Sequence, residues 1–142
     1  MDKPTIAVLP KLESLAGPAS FYARFTTTAR NRGYTIHNDP TKSDVDAVLV
    51  VAGTKHIPAL MKAKRRGVRI VQRLDGINWH HKHMHTGIYH YLRSEINNQM
   101  MQTVRKYFAD QIVYQSEFAK QWWLDEYKPT GKPFTIIHNG IN

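Results

Sequence analysis

The segment Asp46–Ala52 (DAVLVVA) is apolar at successive positions rather than at alternate ones. A strand of that kind buries both of its faces, as happens in the interior of a parallel sheet covered by helices on either side. The flanking chain agrees with this. Short apolar runs alternate with amphipathic stretches, and strand, helix, strand in repetition specifies an α/β domain with a mainly parallel sheet.

The remaining elements follow from local chemistry. Thr5–Leu9 (TIAVL), stopped by Pro10, reads as a buried strand. Leu12–Ser20 is a loop, after which Ser20 is placed to cap a helix carrying Phe21, Phe25 and Ala29 on one face. Gly33 ends that helix and Tyr34–His37 forms a second strand. Thr54 caps a helix that turns Ile57, Leu60 and Met61 inward, with Pro58 in its first turn. Val68–Leu74 is the next strand. Glu95–Phe108 is a helix with Ile96, Met100, Val104, Tyr107 and Phe108 at core spacing. Ile112–Tyr114 is a strand, Ser116 caps a helix bearing Trp122 and Trp123 as core residues, and Phe134–His138 is the last strand. One Rossmann-like three-layer sandwich accounts for residues 1–142.

Composition sets the outer bounds. The 142 residues, 42% hydrophobic and 22% charged, suit one folded domain and no more. No run approaches the ~20 apolar residues of a membrane-spanning helix, and MDKPTIAVLP is too short in its apolar part for a signal peptide. Cysteine is absent, which removes disulfides, thiolate metal sites and cysteine nucleophiles. A cytoplasmic protein is expected. The net charge is +9, and Ala47–Leu74 holds seven cations (Lys55, Lys62, Lys64, Arg65, Arg66, Arg69, Arg73) without one acid. Such a stretch is either a solvated helix face or a surface for phosphate, nucleic acid or an acidic membrane.

In an open parallel sheet, ligands bind beyond the carboxyl ends of the strands. That rule selects Pro10–Ser20, Gly53–Lys55, Asp75–His85 and Gln115–Glu117. The Gly17-Pro18 turn opens a helix whose first-turn N–H groups can hold a phosphate or a hydroxyl. Neither G-x-G-x-x-G nor G-x-x-x-x-G-K-[ST] occurs, so a dinucleotide site and a P-loop are not expected. Arg73 and Asp75, two apart at a strand end, project toward one crevice. There the Asp can accept a hydrogen bond from a sugar hydroxyl and the Arg can hold phosphate, or the two form an internal pair that fixes the turn. His80, His81, His83, His85 and His90 crowd an eleven-residue window. They lack a companion carboxylate and the H-E-x-x-H spacing, so they read as a polar lip and no metal is expected.

Four segments together carry a resemblance: Gly17-Pro18-Ala19-Ser20-Phe21, Arg73-Leu74-Asp75-Gly76, Ala109–Ala119 (ADQIVYQSEFA) and Ile136–Asn142 (IIHNGIN). Their order and spacing resemble the N-terminal half of GT-B-fold glycosyltransferases of family 4, across essentially the whole chain. The resemblance implies retaining transfer of a sugar from a nucleotide-sugar, UDP- or GDP-linked, to a sugar or lipid-linked acceptor held by this half. It places Gly17, Pro18 and Ser20 in the loop that approaches the donor diphosphate. Arg73 and Asp75 fall at the cleft position where the family often has a His. Gln115, Ser116 and Glu117 line the cleft, and Asn139 with Gly140 begin the hinge. The E-x7-E motif of the family's second half is absent, so the implied partner is a donor-binding C-terminal domain or subunit, with no metal or other cofactor. Peripheral contact with a membrane is compatible with this reading. The alternative is a non-catalytic basic module for nucleic acid or an anionic membrane.

Overall fold

The computed structural model describes residues 3–10, 17–76 and 87–138, with residues 17–19 described by their backbone alone. Six strands form one sheet: β1 (Thr5–Leu9), β2 (Thr35–His37), β3 (Ala47–Val51), β4 (Arg69–Leu74), β5 (Gln111–Tyr114) and β6 (Phe134–Ile136). Their spatial order is β2-β1-β3-β4-β5-β6, and every pairing is parallel. The connections carry α1 (Gly17–Asn31), α2 (Ile57–Arg65), α3 (Ile88–Thr103) and α4 (Glu117–Tyr127). The architecture is thus α/β and Rossmann-like, with helices on both faces of a parallel sheet.

Strand alternation divides the core. Ala7, Leu9, Val48, Val50 and Ile70 face one way and pack with Leu60 and Ala63 of α2 and with Val104 and Phe108. On the same side, Leu74, Ile112 and Tyr114 pack with Met101 and the fully buried Trp123. Val8 and Val51 face the other way, against Tyr22 of α1, with Phe21, Phe25, Ile36 and Leu49 around them. So three helices cover one face, while among the described residues α1 alone covers the other. Beyond α1, the half-buried Val71 and Val113 floor a cavity of about 780 Å³ that also meets Phe21, Phe25, Leu49 and Ile137.

Several sequence expectations shift. The first helix starts at Gly17, so Ser20 lies inside its first turn and is not the cap. His56 occupies the N-cap position of α2 without a side-chain capping bond, and Thr54 instead accepts a hydrogen bond from the His56 amide at 3.1 Å, a local turn that delays the helix by two residues. Met61 is 40% exposed, because the short helix meets the core only through Leu60 and Ala63, with Ile57 at its margin. The third helix starts seven residues before Glu95 and ends in a π-helical turn, Val104–Phe108. That turn has an extra residue per hydrogen-bonded ring, which re-aims the chain, and Tyr107 faces out while Phe108 enters the core. Ile96 is exposed as well; Ser94, Asn98 and Met101 occupy the buried side.

Candidate functional site

Because all six strands run the same way, their carboxyl ends and the N-termini of α1, α2 and α4 meet at one edge of the sheet. β4 delivers Asp75 and Gly76 to the middle of that edge. Contacts from both faces of the sheet hold this point. Arg73 donates to the Asp75 carboxylate at 2.8 Å. The Arg73 guanidinium lies 3.9 Å over the ring of Phe21 from α1. From the opposite side, the indole N–H of Trp123 donates to the Asp75 carbonyl at 2.8 Å.

Burial decides what each group can do. The Arg73 side chain is 5% exposed and that of Asp75 31%. Burial lowers the Arg73 pKa and the carboxylate of Asp75 opposes that shift, but a guanidinium stays charged throughout the working range. Arg73 therefore acts on Asp75 and Phe21, while the carboxylate keeps a solvent-facing side. Of the two roles the sequence left open for this pair, the internal ion pair is present. It also aims Asp75 outward, so that the carboxylate can accept a hydrogen bond from a ligand hydroxyl.

Gly76 has its own reason. A Cβ there would lie 2.8 Å from the Trp122 ring, so the close passage of α4 requires glycine. Next door, the β3 exit is held by Ala52, in the left-handed region at φ 68, with its N–H donating to the Arg73 carbonyl at 2.9 Å. The Gln72 amide donates to the Ala52 carbonyl at 2.8 Å and to the Met101 carbonyl at 3.0 Å. These contacts over-determine the backbone around Asp75.

At β5, Gln115 donates its N–H to the Leu74 carbonyl at 3.0 Å, and Ser116 is the N-cap of α4, accepting from the Ala119 amide at 3.0 Å. Glu117 pairs with Lys120 at 2.6 Å on the exposed side of the first turn. Gln115, Ser116 and Asp75 thus stand on adjacent strand ends. Gly17 and Pro18 form the first turn of α1, and Ser20 lines the 780 Å³ cavity together with Arg73 and His138. Asn139 and Gly140 lie outside the described residues, as do His80, His81, His83 and His85; His90 is exposed on α3. Among the described residues no three His, Cys, Asp or Glu side chains are gathered as metal ligands.

The basic stretch is partly consumed by the fold. Arg66 donates to the carbonyls of Thr41, Lys42 and Ser43. Lys64 donates to the Phe108 carbonyl at 3.1 Å and pairs with Asp110 at 3.2 Å. Arg73 is buried, and Lys55, Lys62, Arg65 and Arg69 are exposed and take no part in these bonds. Phe21, Trp122 and Trp123 were not legible as site residues, since each reaches the β4 end from a distant helix. No helix of the described residues is long and apolar enough to cross a membrane.

Comparison of the chain with protein-family models, with curated proteins and with solved structures finds no match in any of the three.

Proposed function

We propose that this chain is the acceptor-side domain of a glycosyltransferase with a GT-B-type arrangement, working with a donor-binding domain to transfer a sugar from a nucleotide-sugar with retention. The observation that carries the reading is Asp75: a carboxylate aimed by Arg73 at the carboxyl edge of a parallel sheet, between two helix N-termini. Asp75 accepts a hydrogen bond from an acceptor hydroxyl and orients it. The first turn of α1, beginning at Gly17-Pro18, offers backbone N–H groups to the donor diphosphate. Gln115 and Ser116 bound the acceptor on the β5 side. Charge developing on the leaving diphosphate is stabilised by fixed donors contributed by both domains. Nucleotide-sugar and acceptor are substrates, and the site needs no metal or other cofactor.

The test is a transfer assay with UDP- and GDP-linked sugars, using this domain joined to a donor-binding half. Asp75→Ala is expected to lower turnover by about a hundredfold, and Tyr107→Ser, exposed before the amino end of β5, to leave it unchanged. Transfer that persists undiminished in Asp75→Ala overturns the role given to this residue. Absence of transfer from every donor and every assembled combination overturns the reading itself.

A further inference from the structure

The N-terminal half of α3 is inside out. At about 100° per residue, Ile88, Leu92, Ile96, Tyr89 and Met100 fall within one third of the helix circumference. That stripe ought to face the core. Instead Ile88 is 79% exposed, Tyr89 78%, Ile96 60% and Leu92 53%, while Ser94 and Asn98 are buried on the opposite side. The stripe continues across a groove of about 320 Å³, in which Leu92, Ile96 and Met100 meet Ile57 of α2. On α2, Met61 and Arg65 follow Ile57 at successive four-residue steps, and both are exposed. Monomeric soluble proteins rarely leave so many large apolar side chains together in water, and such a patch marks an interaction surface.

Charge identifies the partner. α2 has no acidic residue and α3 has one, Glu95. The exposed cations Lys55, Lys62, Arg65 and Arg93 belong to the same two helices and their approach. A second copy of this chain, at +9, would set these cations against their own kind. An anionic bilayer answers both halves of the surface: Leu, Ile and Tyr side chains enter the headgroup boundary, and Lys and Arg meet lipid phosphates. We propose that α3, with the adjoining end of α2, docks this domain on the surface of a membrane rich in anionic lipid. The surface shares no residue with the Asp75 constellation and does not depend on the activity assigned there.

Co-sedimentation with vesicles tests the proposal. At ~0.1 M salt, the protein is expected to bind phosphatidylcholine vesicles containing about 30% phosphatidylglycerol, and to bind pure phosphatidylcholine much more weakly. Leu92→Ser with Ile96→Ser is expected to lower the partition about tenfold or more, as is Arg93→Glu with Lys55→Glu. Both pairs are solvent-exposed, so circular dichroism and the thermal midpoint should match the parent. Asp75→Ala should bind vesicles like the parent, which separates this surface from the proposed reaction. Anionic-vesicle binding indifferent to the α3 variants overturns the proposal. So does a protein that ignores vesicles and forms a dimer abolished by Leu92→Ser with Ile96→Ser, for then the ridge is a contact between copies.

Discussion

Gly76 has no room for a methyl group, because Trp122 stands where the Cβ would go. Gly76→Ala should therefore cost about 1–3 kcal/mol, the usual price of forcing an atom into a packed position, measured by urea unfolding. An unchanged midpoint would mean that α4 yields freely at this point. Asp75→Asn raises a different issue: it leaves Arg73, 4% exposed, without its carboxylate. Loss of one partner from a buried pair costs about 3–5 kcal/mol, and the partial exposure of Asp75 lowers the expectation to roughly 1–3 kcal/mol. These residues show what could be read in advance and what could not. Arg73-Leu74-Asp75-Gly76 at a strand end was visible as a site because adjacent letters carried it. The stacking of Phe21 and the indole bond from Trp123 join positions about fifty residues apart, and no local pattern encodes them.

Among the elements, the start of β4 depends on Asp110, whose carboxylate accepts from the Ile70 amide at 2.8 Å and pairs with Lys64 of α2. Burial pushes the Asp110 carboxyl up, but the Ile70 amide and Lys64 outweigh that and leave it below the ordinary 3.8. As pH falls, the unfolded chain takes up this proton first. The contribution to stability is thus complete above the ordinary carboxylate value and is lost as pH drops through the lowered one. Asp110→Asn should cost about 0.5–1.5 kcal/mol near neutrality and flatten the acid limb of a stability–pH curve below pH ~4. A parallel acid limb in the variant would assign that limb elsewhere. Ser116→Ala should cost α4 about 1 kcal/mol through its lost cap, read from the same unfolding curves. The strands were the most legible elements, because doubly apolar runs such as Ala47–Val51 have few other destinations. Helix starts were less so. Ser20 and Thr54 are residues that cap well, yet a helix beginning at Gly17 and a turn at Thr54 satisfied the backbone first. The direction of α3 was illegible for a stronger reason: its apolar stripe predicts burial and the fold turns it to solvent.

At the scale of the whole sheet, the described residues close one face and leave the other half open. Three helices seal the first, while α1 leaves Val71 and Val113 flooring the large cavity on the second. An apolar dye such as anilinonaphthalene sulfonate should bind the folded protein saturably there, drawn also by the cationic Arg24 among the cavity's walls. A folded protein that does not enhance the dye's emission would mean that the cavity is closed in solution. The sealed face contains a feature of another kind. Trp123, wholly buried, is hydrogen-bonded to the backbone of the very residue proposed to meet the acceptor, and Trp122 rests against its neighbour. The crevice is therefore wired to an optical reporter. Any occupant that tugs Asp75 alters the field at an indole, and an emission change that is lost in Trp123→Phe would record the event without a label.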